Sequence, residues 1–382
     1  MKRMFLLMGV VVTVVALLVA GCTAEEEEER TTITLDFSTF WGSTDFQAAT
    51  GEGNWMSVLS ARVLAETTDY ELKWVKTYSV SPPALWTGVK AGTYDVVTSG
   101  PGYTSGVMPL WEGPEYPADL AGRRNALIMS MAHKALYETF EPLRTEFLAT
   151  GVVPMYFWST GPGYFNMVQG HNVTTLTDFW MQGESEQKER IRTANPASVL
   201  TVTALNATPY ACAMSAALEK FQAGLVDGIL CPTDTAKGFG LGAYLRSATY
   251  APFSYQFVFM NVMNKATYDG LPASVKTIFD TTNAKWTEYN GKLRTWGEYD
   301  GLMYSRTMWG LNISWFETWA PADYTAWVAA TSGLITTWMG SNTTRQYLWG
   351  NFTAQMTYYA TTAPWSTWTH SWPTQPPVPT FP

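Results

Sequence analysis

The chain has 382 residues; 46% are hydrophobic, 15% aromatic and 15% charged, and the formal net charge is −8. Intrinsic disorder needs low hydrophobicity with high net charge, and a nucleic-acid surface needs a basic face, so both classes fall away. One long apolar run, at the very start, excludes a polytopic membrane protein and leaves a globular body large enough for two lobes.

That run begins after the basic Met1-Lys2-Arg3, covers Met4 to Val19, and ends in Val19-Ala20-Gly21-Cys22. A basic start and small residues at the cleavage point mark an export signal rather than a spanning helix. The cysteine makes the stretch resemble the lipobox of bacterial lipoproteins. The resemblance implies a signal of residues 1–21, lipidation of Cys22, and an extracytoplasmic protein held to the membrane by its lipid. Residues 22–31, with the run Glu25 to Glu29, then form a self-repelling tether. The other cysteines are Cys212 and Cys231. An oxidising compartment permits a disulfide between them, and two buried free thiols are the equal alternative.

In the body, Thr32 to Phe37 alternates as a strand does. Trp55 to Glu66 carries apolar residues at helical spacing. A strand at Glu71 to Val75, a helix at Ala84 to Lys90 stopped by Gly92, and a strand at Tyr94 to Thr98 follow. This β-α-β-α-β order predicts a parallel sheet in an α/β lobe. A second alternation is expected from Val152 to Trp158 onward, through Arg190–Ala194, Ala207–Tyr210, a helix at Ser215–Ala223 and Val226–Leu230. Tyr255 to Asn264 is β-rich and long enough to cross between lobes, and Ala273 to Met303 is helical. Arg345 is the last charged residue; the Trp- and Pro-rich tail, residues 361–382, is expected to pack first and extend at its end.

Chemistry-bearing patterns are few. His133, His171 and His370 are the only histidines, and His133 in its helical stretch reads as a surface or satisfied residue rather than a general base. No spacing suits zinc, and no catalytic residue, metal or cofactor is expected. Gly100 to Gly106 superficially matches a dinucleotide loop, yet reads better as a tight turn at a strand end, where α/β sheets place ligands. Glu184, Glu186, Lys188, Glu189 and Arg190 read as a solvated insertion.

The stretch Arg192 to Lys237 carries a more specific signal. Ile191-Arg192, Asn206 to Pro209, Ala217-Leu218, Gly224, Val226-Asp227-Gly228 and Pro232 stand in an order and spacing that resemble the DctP-type solute-binding proteins of TRAP transporters. Val89 to Asp95, Met108 to Pro117 and Asn264 to Pro272 extend the likeness over roughly residues 32 to 330. The resemblance implies an α/β, two-lobed periplasmic-binding-protein fold of type II, with an inter-lobe ligand cleft and a long connecting helix. Lobe 1 would take residues 32–156 plus about 253–300, and lobe 2 residues 157–252 plus about 301–360. It also implies capture of a small organic acid and delivery to TRAP membrane permease subunits driven by an ion gradient.

Arg192 matches the family's ligand-gripping arginine, and a guanidinium suits a carboxylate through paired N–H···O bonds. An arginine common in relatives is absent from Ser159 to Tyr164, and Cys231 replaces an asparagine; both departures weigh against sialic-acid-like or dicarboxylate ligands. Trp41, Tyr103, Trp158 and Tyr164, with Cys231 and Thr233, complete the expected ligand-binding set and point to an apolar or aromatic acid. The rival readings are a surface lipoprotein enzyme acting on polysaccharide, and the binding protein of an ATP-driven transporter.

Overall fold

The computed structural model describes residues 29–120, 123, 125–179, 188–315, 319–362 and 375–381. The expected lipidation site Cys22, residues 180–187 of the charged run, and residues 363–374 of the tail lie outside the described residues.

The first alternation folds as its period predicts: β1 (Thr31–Ser38), α1 (Gly53–Glu66), β2 (Tyr70–Thr77), α2 (Pro82–Ala91) and β3 (Val96–Ser99). β1 pairs in parallel with both β2 and β3. Pro82 opens α2, where its missing N–H has no intrahelical use. Gly92 closes it at φ 75°, a left-handed conformation in which a Cβ is costly.

Next come α3 (Ala126–Thr139), α4 (Glu141–Leu148) and β4 (Val152–Ser159). β4 does not start the second alternation; it completes the first sheet, whose order is β2-β1-β3-β10-β4, with β10 (Val258–Asn264) antiparallel to both neighbours. A strand buried on both faces reads as a continuous apolar run, so nothing in its own residues says which sheet it joins.

The second sheet has the order β11-β9-β5-β8-β6-β7. It is built from β5 (Tyr164–Val168), β6 (Arg190–Thr193), β7 (Thr208–Ala211), β8 (Gly228–Cys231), β9 (Leu245–Tyr250) and β11 (Asn312–Trp315). Between these strands lie α5 (Pro196–Ala204), α6 (Ala217–Gln222) and α7 (Asp234–Gly238). After β10 come α8 (Lys265–Gly270) and the 37-residue α9 (Ala273–Trp309), then α10 (Pro321–Met339) and α11 (Thr343–Thr362).

The chain passes between the sheets at 159–164 and again at 250–258, and the two crossings bond to each other. Thr160 N donates to Phe257 O at 2.9 Å, Phe257 N to Thr160 Oγ1 at 3.0 Å, and Gln256 Nε2 to Thr160 O at 3.1 Å. α9 is the third connection, packing on α3 and β4 of the first lobe and on α7 of the second. α10 packs on α5 and α11 on α3, so the closing helices touch both lobes. The tail's end is irregular but docked: Lys285 Nζ donates to Thr380 O at 3.1 Å, and Arg62 lies 4.5 Å from the Phe381 ring. The whole is the two-lobed α/β architecture with a long connecting helix that the sequence implied.

Candidate ligand-binding site

Arg192 sits on β6 between β7 and β8, in register with Tyr210 and Ile229. Both ends of that short strand are pinned. At its start, Asp227 accepts from Arg190 N at 2.8 Å and from Arg190 Nε and Nη2 at 2.9 and 2.6 Å, a two-pronged clamp between β6 and β8. Past its end, Asn195 caps α5, its Oδ1 accepting from Ser198 N at 2.8 Å.

Held this way, Arg192 reaches over β7 and donates from Nε and Nη2 to the Cys212 carbonyl at 3.0 and 2.7 Å. Nη1 has no partner among the described residues, although the side chain is 0% exposed. A buried charge without a counter-ion is expensive. Its neighbours supply none: burial raises the Tyr103 and Tyr255 phenols above their usual range and the Cys231 thiol to about 12. All three are neutral at pH 7, and the two phenols add hydroxyls beside the guanidinium.

Trp41, Tyr103 and Cys231 line a cavity of about 20 Å³ with Arg192, room for roughly one water molecule. The other expected residues lie elsewhere. Trp158 stands one layer behind, stacked on Phe259 at 4.4 Å with its indole N–H donating to Asn261 Oδ1 at 3.1 Å. Tyr164 belongs to the core of the second sheet, against Tyr250 at 5.0 Å. Thr233 turns to α9, its N and Oγ1 donating to Glu298 Oε1 at 2.9 and 2.5 Å. Thr235 lines the cavity in its place, with Oγ1 2.9 Å from Cys231 Sγ. Cys212 and Cys231 are free thiols.

Sequence reasoning missed Arg294. It rises from α9 into the same cavity and is 2% exposed. It pairs with Asp234 through Nη2 and lies 5.2 Å from the Trp158 ring and 5.8 Å from that of Trp41. Trp286, Asn290, Arg294 and Glu298 recur every fourth residue and are all buried, so their spacing placed the arginine on the inward face. Phe40, Phe239, Tyr255 and Phe259 are further wall residues that aromatic abundance alone did not single out.

The lobes meet at two buried carboxyls. Glu115 Oε2 accepts from Asn195 Nδ2 at 2.6 Å and its Oε1 from Val258 N at 3.2 Å; burial holds its pKa well above the usual range. The Gly100–Gly106 turn ends here: a Cβ on Gly102 would sit 2.6 Å from Glu115 Oε2 and 2.7 Å from Asn195 Cβ. Glu298, raised to about 8 by burial and by Asp234, makes the second bridge, to Thr233.

One sequence reading needs correction, and that of His133 is narrowed to the satisfied alternative. The charged run is not solvated at its end, because Glu189 is buried with its oxygens 2.8 and 2.9 Å from His171 Nδ1. His133 is a buried core residue, its Nδ1 2.7 Å from Met129 O and its pKa lowered to about 4 by burial. His171, Glu189 and Asp227 bring potential ligand atoms within 4.8 Å of one another. Asp227 is already taken by Arg190, which makes the group a clamp on the strand.

The sequence model of bacterial extracellular solute-binding protein family 7, DctP, matches residues 80–304. The C4-dicarboxylate-binding periplasmic protein DctP of Rhodobacter capsulatus is 26% identical over 152 residues, 40% of this chain and 43% of that protein, so the match spans less than half of the relative's length. Among solved structures, a TRAP solute-binding protein from Rhodoferax ferrireducens in complex with copurified benzoate superposes with a TM-score of 0.76 at 19% identity, covering 87% of this chain and 100% of that one. A marine metagenome TRAP protein specific for aromatic acid ligands, bound to metahydroxyphenylacetate, gives 0.75 at 20% identity, with 86% and 99% covered. With more than half of its length matched by the family model and its fold shared with these structures, the chain belongs to the DctP family of bacterial extracellular solute-binding proteins.

Proposed function

We propose that the protein captures an organic carboxylate on Arg192 between its two lobes and delivers it to the membrane permease of a TRAP transporter, working outside the cell membrane from a lipid anchor at Cys22. The observation that carries this reading is the fully buried Arg192, whose Nη1 lacks a partner among the described residues and lies amid neutral phenols and a neutral thiol. A carboxylate would give it the two-pronged pairing that the Cys212 carbonyl does not. The aromatic wall supports an aromatic or apolar acid, as do the relatives whose described ligands are benzoate and aromatic acids. Membership of a solute-binding family supports binding rather than turnover.

A thermal-shift screen of carboxylic acids and neutral sugars, with mass spectrometry of whatever copurifies, tests the reading. Aromatic monocarboxylates should raise the unfolding temperature in a saturable manner. Stabilisation by neutral sugars alone would overturn it. For the anchor, Cys22→Ala should release the protein from the membrane fraction.

A further inference from the structure

Next to the Arg192 pocket lies a larger compartment of about 440 Å³. The two share Trp41, Thr235, Phe239 and Arg294 as a common wall. A compartment of this size falls in the range of small-molecule sites, whereas the inner pocket has room for little more than one water molecule.

The charges lining the two spaces are ordered. Arg294 is neutralised by Asp234, and Lys237 by Asp300 at 2.6 Å. Glu298, behind Asp234, holds its proton at neutral pH because burial raises it to about 8. Two charges are left over: Arg192 in the inner pocket and Asp45 in the outer compartment. Asp45 is 7% exposed; its carboxylate accepts from Gln47 N at 2.8 Å and from Ala48 N, and it feels the charge of Arg294, whose ion-pair partner is Asp234, so it has no ion-pair partner of its own among the described residues. Its carboxyl, raised by burial to about 6, is ionised at pH 7. The shared wall adds a polar group without a partner among the described residues, the Nε of the buried Arg294. Unmet polar groups in a water-poor site favour a ligand that meets them and reject one that cannot.

We infer that the outer compartment is a second recognition site that selects a monocarboxylate bearing a hydrogen-bond donor, hydroxyl or ammonium, at its far end, with Asp45 as the acceptor. The inference rests on the carboxylate reading of Arg192. It also means that a second carboxylate is rejected, since it would meet an unpaired anion instead of an unpaired cation.

Isothermal titration of the full-length protein tests this with phenylacetate, its 3- and 4-hydroxy and aminomethyl derivatives, and the phenylenediacetates. The best donor-bearing probe should bind at least tenfold more tightly than phenylacetate, and the diacids at least tenfold more weakly. Asp45→Asn keeps an acceptor for Gln47 N but removes the charge; it should bring donor-bearing probe, parent and diacid to within a few-fold of one another. Equal affinity of parent and donor-bearing probes in the wild type would overturn the inference while leaving the Arg192 reading intact. So would an equal fractional loss for every probe in Asp45→Asn, the mark of a purely structural role. If none of the probes binds, the carboxylate reading fails and this inference fails with it.

Discussion

Arg192 and Arg294 line one pocket and are almost equally buried, yet their surroundings differ in kind. Arg294 has its charge met within the protein by the Asp234 carboxylate, beside two tryptophan faces, although its Nε has no partner among the described residues. Arg192 meets no carboxylate among the described residues: it has the Cys212 carbonyl and the neutral Tyr103 hydroxyl, and its Nη1 has no partner there. Burying a guanidinium is tolerable when its charge is met, so the first arrangement stabilises the protein by itself. The second leaves a deficit that an anion from outside would fill. Removing either arginine therefore has separable consequences, one on affinity and the other on folding.

The largest expected effect falls on binding. Arg192→Ala should weaken carboxylate affinity by about 3–5 kcal/mol, roughly two to four decades, in titration calorimetry, while unfolding in urea stays close to the wild type. Loss of stability without loss of affinity would reverse the contrast between the two arginines. Asp234→Ala probes the other side: it strands Arg294 without its carboxylate and should cost about 3 kcal/mol of folding stability, read from the urea midpoint.

Smaller effects sharpen the contrast at the lobe interface. Asn195→Ala removes the α5 cap and the Glu115 donor together. About 1–2 kcal/mol of stability should be lost, with the cap share restored by Asn195→Asp and the Glu115 contact not.

A final effect concerns pH dependence. Burial raises the Glu52 carboxyl to about 8. The folded state then holds a proton that the unfolded chain has released, so stability falls as pH rises from about 4.5 to about 8, by up to about 1.4 kcal/mol per pH unit. His133, lowered to about 4, acts in the opposite sense below pH 6.5, so the carboxyl slope is cleanest between 6.5 and 8. Glu298, also raised to about 8, and Glu115 add slopes of the same sign, so Glu52→Gln should reduce the slope there by one carboxyl's share rather than abolish it.

Much of the first lobe was legible because period and punctuation agreed: alternation in β1, helical spacing in α1, and Gly92 as the stop. β4 was misplaced because a strand apolar on both faces carries no directional pattern. The place of Arg192 on a strand beside the cavity was legible through the order of its motif, and Asp227 and Asn195 now give that order a physical basis as strand clamp and helix cap. Tyr164 was drawn in by its position near a strand end, but side chains alternate across a sheet, and it faces the core of the second sheet. Asp45 and Arg294 escaped notice because their meaning depends on which neighbours are already paired. Charge pairing across 60 residues, as between Asp234 and Arg294, leaves no mark in a single sequence.

Capture of a carboxylate by Arg192 would be seen in a crystal structure of the protein with the acid that gives the strongest thermal shift. Carboxylate oxygens should lie within about 3 Å of Arg192 Nη1, with the Arg294–Asp234 pair intact. A carboxylate bound to Arg294 with that pair broken, or one lying away from both arginines, would contradict it.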